Sequence, residues 1–157
     1  KFLDGIEANG LILTPATAMT IDMGTASLKI IPSPAEDYSS LNDYSICAYL
    51  TCGDTSFFFT GDASKPVEKG ELDGIQADVL KVGHHGSRES STDAFLAQLQ
   101  PSYAVISCGT GNSYGHPHSE AVSRLQQYCG EQIWRTDESG TVTISSDGSN
   151  LTVTTEK

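Results

Sequence analysis

All four histidines of this 157-residue chain fall in two short stretches, LKVGHHGSRESS (residues 80–91) and NSYGHPHSE (residues 112–120). Neutral imidazoles together with a carboxylate, here Asp62 of the segment FFFTGD, make the ligand set of a divalent metal such as zinc or manganese. His84 and His85 are adjacent on an irregular turn and point in different directions. They therefore divide two roles, one binding metal and the other facing substrate or holding a supporting hydrogen bond. Gly83 and Gly86 let the backbone make that turn and come close to a ligand. A lone histidine pair is often structural or surface chance, but glycine on both sides and a second pair downstream favour function. Asp62 has an ordinary alternative as a turn former or helix cap. In GHPH, Pro117 presets a first helical turn, so His116 is expected at the start of a helix whose free N–H groups suit a phosphate. The ordinary alternative there is a capping residue and an exposed His118. Tyr114 can donate to a leaving oxygen or simply act as a packing lid. Ser87 has no base or third partner, which disfavours serine nucleophilic catalysis.

The elements that must position these groups are readable from periodicity and turn chemistry. LILT and SLKIIP, before Ser40, read as short β pieces. YSICAYLTCGDTSFFFTGD reads as a hairpin turning at Gly53-Asp54. Ser64 can cap a short helix running to Leu72, with Pro66 tolerated in its first turn. Strand DVLKV leads to a helix from about Ser91 that turns Phe95, Leu96 and Leu99 inward and stops at Pro101. Strand YAVIS leads to a helix opening at Pro117, with Val122, Leu125 and Cys129 inward and Gly130 beyond its end. Strand QIWRT and a hairpin turning at Asp147-Gly148 complete an α/β layer arrangement. Asp62, His84/His85 and residues 112–118 each follow the carboxyl end of a predicted strand, the edge where open α/β sheets hold ligands.

Composition bounds the function. The length suits one domain with a real core, and 38% apolar with 18% charged residues describes a soluble globular protein. No apolar run approaches the roughly 20 residues of a membrane span, and no signal peptide is visible. The start at Lys1, without Met and inside a turn-rich stretch, suggests an excised piece. A net charge of −11 argues against a broad phosphate-binding surface. From Asp78 to Thr136, however, Lys81, Arg88, Arg124 and Arg135 nearly balance Asp78, Glu89, Asp93, Glu120 and Glu131, so the acidity lies in the flanks. The four cysteines lack C-x-x-C spacing. Cys47 and Cys52 would lie roughly 16 Å apart along one strand, too far to bridge; Cys108 and Cys129 could pair, though nothing requires it.

FFFTGDAS, DVLKVGHHGSRESS, PSYAVISCGTGNSYGHPHSEAVSRL and RTDESGTVTI, in this order, closely resemble the metallo-β-lactamase-like domain of ComEC-type competence proteins, from about Asn42 to Ile144. The resemblance implies an αββα sandwich with one or two divalent metals, zinc or manganese, at the sheet edge. By motif, Asp62 corresponds to the metal-bridging aspartate and His85 to a metal ligand. His84 corresponds to a substrate-facing or alternate ligand, and Asn112, Tyr114, Gly115 and His116 to the loop that closes the site. The superfamily's primary H-x-H-x-D-H cluster is absent, because no histidine precedes His84. LNDYSI stands where many relatives carry another histidine. The chain is accordingly expected to be the second half of the sandwich, one domain over residues 1–157, lacking its N-terminal partner half and prone to self-association.

The activity so implied is metal-dependent hydrolysis of a phosphodiester, DNA during uptake, at the extracellular or cell-surface face, with the chain alone inactive. Two other readings are a secreted enzyme cleaving a small phosphoester, such as choline phosphate on a cell-wall polymer, and a non-catalytic binding module.

Overall fold

The computed structural model describes residues 2–33, 37–70, 72 and 74–157. A seven-stranded sheet runs in chain order: β1 (Met19–Asp22), β2 (Ala26–Ile31), β3 (Cys47–Cys52), β4 (Thr55–Phe59), β5 (Val79–Lys81), β6 (Tyr103–Ile106) and β7 (Ile133–Arg135). The first four strands pair antiparallel and the last four parallel. Cys52 faces Thr55 across the Gly53-Asp54 turn, as the hairpin chemistry predicted. A separate two-stranded hairpin, β8 (Val142–Ser146) with β9 (Leu151–Thr155), closes the chain.

Three crossovers carry the parallel strands forward, through α2 (Lys65–Glu68), α3 (Asp93–Leu99) and α4 (Ser119–Cys129). Each crossover steps to the next strand on the same side. Right-handed connections that always advance in one direction place every helix on one face. That face holds the core: Phe58, Leu80 and Ala104 lie side by side across β4, β5 and β6, under Val67, Phe95, Leu96, Leu99 and Leu125. Leu96, Leu99 and Leu125 are fully buried, so the helical spacing read from the sequence is the packed face. Thr92 caps α3 by accepting from the Phe95 N–H, and Gln100 ends it in a left-handed conformation.

The opposite face carries two apolar rows that cross the sheet. One runs Ile21, Leu28, Leu50, Phe57, Val79, Tyr103; the other runs Met19, Ile30, Ala48, Phe59, Lys81, Val105, Trp134. The β8–β9 hairpin lies over the middle of these rows, where Val142 and Ile144 face Phe57, Phe59, Val79, Lys81 and Val105. A hydrogen bond of 2.6 Å between Thr55 and Ser146 hydroxyls fastens it. Beyond the hairpin, Met19 and Ile21 are 50% and 41% exposed, and Phe59, beside it, is still 38% exposed. Lys81 is the one cation in the rows; its ammonium donates to the Val82 carbonyl at 3.1 Å, and burial pulls its pKa down.

Several local expectations are corrected. LILT forms no strand; Leu11, Ile12 and Leu13 are exposed and unpaired with any strand. A helix, α1 (Phe2–Ala8), precedes it. The helix after Ser64 ends at Glu68 rather than Leu72, and Ser64 makes no side-chain cap because its hydroxyl donates to Asp43 at 2.7 Å. The helix expected to open at Pro117 begins at Ser119. The His118 N–H is taken by the Gly86 carbonyl at 2.9 Å, which holds residues 116–118 extended against the preceding loop. All four cysteines are free; Cys47 and Cys129 are buried, and desolvation pushes both thiols up to about 11. Among the described residues no helix is long and apolar enough to cross a membrane.

A contiguous apolar surface of this extent drives association when nothing covers it. Purified chain is expected to bind a hydrophobic dye and to sediment with a concentration-dependent coefficient. The double substitution Met19→Lys with Ile21→Lys should reduce both. A clean monomer without dye binding would show that the rows are covered in solution.

Candidate metal centre

Because β4, β5 and β6 are parallel neighbours, their carboxyl ends lie side by side, and the loop following each opens at one edge of the sheet. One cleft at that edge is lined by Asn42, Asp62, His84, His85, Tyr114 and His116. Five of these six residues were singled out by the sequence. Asn42 was not, and Asn112 does not line the cleft.

The double histidine occupies a strained backbone. His84 and His85 have φ of 48° and 54°, a left-handed conformation that costs an L-residue roughly 1–2 kcal/mol each. Consecutive non-glycine residues in this region are held only when their surroundings over-determine them. Those surroundings are visible. The Gly61 carbonyl accepts from the His84 N–H at 3.0 Å, and the Ser87 N–H returns to the His84 carbonyl at 2.9 Å. Gly83 and Gly86 then permit close contact with neighbouring chain. A Cβ on Gly83 would lie 2.9 Å from the Thr60 hydroxyl; one on Gly86, at φ +80°, would lie 2.5 Å from Pro117 Cβ. The histidine turn and the GHPH loop thus abut through Gly86 and Pro117, where no side chain fits between them.

Further out, a buried carboxylate and a half-buried guanidinium hold the segment that follows. The Glu68 carboxylate accepts from the Ser91 and Thr92 N–H groups and from the Thr92 hydroxyl, while burial raises its pKa against the pull of those donors and of Arg124. Arg124 donates to the carbonyls of Arg88, Ser90 and Ser91 at 2.9–3.0 Å.

Within the cleft, His85 has a defined tautomer. Its Nδ1 donates to the Ser107 carbonyl at 2.8 Å, so in the neutral ring Nε2 is the atom with the lone pair, and it faces Asp62 Oδ1 at 3.6 Å. That separation is long for a hydrogen bond. It matches two ligands on one tetrahedral ion, which at metal–ligand distances of about 2.0–2.2 Å stand ~3.3–3.6 Å apart. A carbonyl on the remote ring nitrogen is also the usual support of a metal-binding histidine. Asp62 itself is steadied by its N–H, which donates to the Ser45 hydroxyl at 3.0 Å.

His84 Nε2 meets the Asn42 amide at 3.2 Å, and its Nδ1 is buried without a partner among the described residues. Asn42 is fixed by the next residue, since Asp43 is buried and accepts from both the N–H and the hydroxyl of Ser64. The His116 ring lies 5.6 Å from that of His84 and 6.5 Å from that of His85. Loss of water and the neighbouring imidazoles of His118, His84 and His85 lower its pKa, so it is neutral near neutral pH. His118 stands edge-on to it at 4.8 Å and accepts the Arg88 N–H on Nδ1. Tyr114 stacks on His116 at 5.7 Å and is 78% exposed. Asn112 is spent inside its own loop: its amide donates to Gly109 and His116 carbonyls, and its oxygen accepts the His116 N–H at 3.0 Å. It shapes the loop rather than reaching the cleft. Ser87 is buried and its hydroxyl accepts from the Glu89 N–H. The expected phosphate seat at a helix start beside His116 is also absent, because α4 begins three residues later with His118 as its cap.

No three histidine, cysteine or carboxylate side chains among the described residues are disposed to hold one ion. Asp62 and His85 fit as two.

A mixed sheet with helices on one face and a histidine–carboxylate cleft at the strand ends is the arrangement of the metallo-beta-lactamase superfamily, and residues 35–110 match that family. That match and the chain's homologues among ComEC-type competence proteins make this part of the chain metallo-beta-lactamase-like. It is 40% identical over 116 residues to ComE operon protein 3 of Bacillus subtilis, covering 72% of this chain and 15% of that protein. Competence protein ComA of Neisseria gonorrhoeae is 38% identical over 103 residues, 63% of this chain and 15% of that one. Recombination protein 2 of Haemophilus influenzae is 36% identical over 88 residues, 55% and 11%. The chain therefore spans about one seventh or less of the length of these relatives. The superfamily generally comprises hydrolases that bind divalent metals.

Two residues escaped the sequence reading. Asn42 lies in LNDYSI, marked above only as standing where many relatives carry another histidine, and no spacing links it to His84, 42 positions away. Ser107 acts through its backbone carbonyl, which side-chain type cannot reveal.

Gly86→Ala tests the junction of the two loops. A positive φ and a collision with Pro117 are expected to cost roughly 1–3 kcal/mol in urea unfolding. Nuclear Overhauser contacts between the His85 and His116 rings should weaken even where the variant stays folded. An unaltered unfolding midpoint would remove Gly86 from this role.

Proposed function

We propose that this chain supplies part of the active site of a metal-dependent hydrolase acting on a phosphodiester, DNA handled at the cell surface. The observation that carries the reading is the Nε2 of His85, its tautomer set by the Ser107 carbonyl, facing Asp62 Oδ1 at 3.6 Å. The relatives' names attach competence and recombination to proteins of this type.

In this reading Asp62 and His85 hold a divalent ion, zinc or manganese, together with ligands outside this chain. The ion when bound would supply Lewis acidity toward water and toward a phosphoryl oxygen. His116 is a neutral imidazole close to both other rings and is suited to moving a proton at the leaving oxygen. His84, with Asn42 on Nε2, faces the substrate side of the cleft or lends a further ligand. Tyr114, exposed and stacked on His116, covers the cleft mouth and excludes water. Asn112 keeps the His116 backbone in place.

One observation favours a second reading, a module that keeps the fold without a working site. Only two ligands converge among the described residues, and a catalytic zinc site ordinarily takes three from the protein.

Metal titration separates these readings. The chain alone is expected to bind zinc or manganese weakly, to lose it on dialysis and to show no turnover of a phosphodiester. Asp62→Ala and His85→Ala should each abolish the residual binding. Placed in a longer polypeptide that carries an H-x-H-x-D-H cluster, the same residues should give turnover that Asp62→Ala removes by at least a hundredfold. Turnover indifferent to both substitutions would overturn the proposed function. Stoichiometric metal retained by the isolated chain would instead show that it holds the full ligand set.

A further inference from the structure

The chain carries nine Lys and Arg against twenty Asp and Glu, yet four of the nine meet in one place. Lys65, Lys69, Arg88 and Arg124 line a shallow cleft on the helical side of the molecule, with Glu89 and Asp93 among its other walls. Lys65 and Lys69 are four residues apart and project from the same side of one helical turn. Both are exposed, and neither forms an ion pair among the described residues. Arg124 donates through Nε and Nη2 to three carbonyls, and its charge also acts on the buried Glu68 carboxylate. Arg88 pairs with Glu120 at 3.2 Å, with both side chains half exposed, a contact worth little in water. The remaining described cations are scattered, or closed off as Arg135 is by Asp137 and Glu138.

The cleft adjoins the metal centre. The Arg88 N–H binds His118, whose ring meets His116, and the Lys65 N–H donates to the Glu89 carbonyl at 3.2 Å. A line of cations therefore leads from the His116 side of the cleft across the 88–92 segment to α2. From this juxtaposition we infer that the cleft is a secondary binding track for the phosphate backbone of a nucleic-acid strand whose reacting phosphodiester lies at the metal centre. The inference rests on the phosphodiester reading above and locates the surface that reading requires in an otherwise acidic protein. The spread of charge along an open cleft suits successive phosphates better than one small anion. A membrane surface fits less well, since none of the exposed large apolar side chains lines the cleft.

The test is fluorescence anisotropy of a labelled single-stranded oligonucleotide with the 157-residue chain, in chelator, from about 50 to 200 mM salt. Lys65→Glu with Lys69→Glu is expected to weaken binding at least tenfold. It should also flatten the slope of log affinity against log salt by about 1.4, because each lost single-strand phosphate contact removes ~0.7. The neutral pair Lys65→Gln with Lys69→Gln should shift both in the same direction by less, and Lys29→Glu, on β2, should change neither. No binding at low salt, or an unchanged slope in both double variants, would overturn the proposal. So would capture of phosphatidylglycerol vesicles through these lysines in place of the oligonucleotide. With chelator present and no turnover measured, the result stands or falls apart from the hydrolase reading.

Discussion

Each parallel crossover in this sheet advances one strand in the same direction, and a right-handed crossover then has one face on which to lay its helix. From that constraint come both halves of the molecule's character. The three helices share a face with Phe58, Leu80 and Ala104 and make a dry core. The other face keeps its two apolar rows, with the β8–β9 hairpin laid over their middle. The same parallel ladder sets the carboxyl ends of β4, β5 and β6 side by side, so Asp62, the histidine pair and the GHPH loop arrive together though they span 54 positions of sequence.

What the ladder brings near, backbone contacts make rigid. The histidine turn is unfavourable on its own, with two left-handed residues in a row, and it stands because its flanks are over-determined. Gly86 lets Pro117 seat against it, the His118 N–H closes on the Gly86 carbonyl, and the segment beyond is held by Glu68 on one side and Arg124 on the other. A buried carboxylate whose pKa is raised by desolvation is an expensive brace unless it is well supplied with donors. Ser91 and Thr92 supply three. The cost is borne away from the cleft, where Asp62 and His85 stay accessible.

The electrostatics follow a similar division. The flanks carry the acid, while the segment from Asp78 to Thr136 is close to balance, and folding gathers Arg88 and Arg124 with Lys65 and Lys69 beside the cleft. A net charge of −11 describes the chain as a whole, but a ligand meets a local potential, screened beyond about 8–10 Å at ordinary ionic strength.

The central elements were legible because their signals are local. Gly53-Asp54 demands a two-residue hairpin, the spacing of Phe95, Leu96 and Leu99 is that of one helical face, and three polar clusters at strand ends mark a ligand edge. GHHGS between an apolar strand and a capped helix, with Asp62 and GHPH in the flanking connections, carried the family resemblance and pointed to one edge of the sheet. Failures came where a residue's partner is distant in sequence. Ser64 reads as a cap until Asp43 takes its hydroxyl, and Pro117 reads as a helix start until the Gly86 carbonyl holds the chain extended beyond it. LILT reads as a strand but no sheet edge receives it. Asn42 on His84 and the Ser107 carbonyl on His85 leave no trace in composition or period. Residue type and spacing determined which chemistry is available here and in which connections it lies. Which nitrogen of His85 is free, and that it faces Asp62, was decided only by tertiary structure, because a tautomer is set by whatever group lies on the far side of the ring.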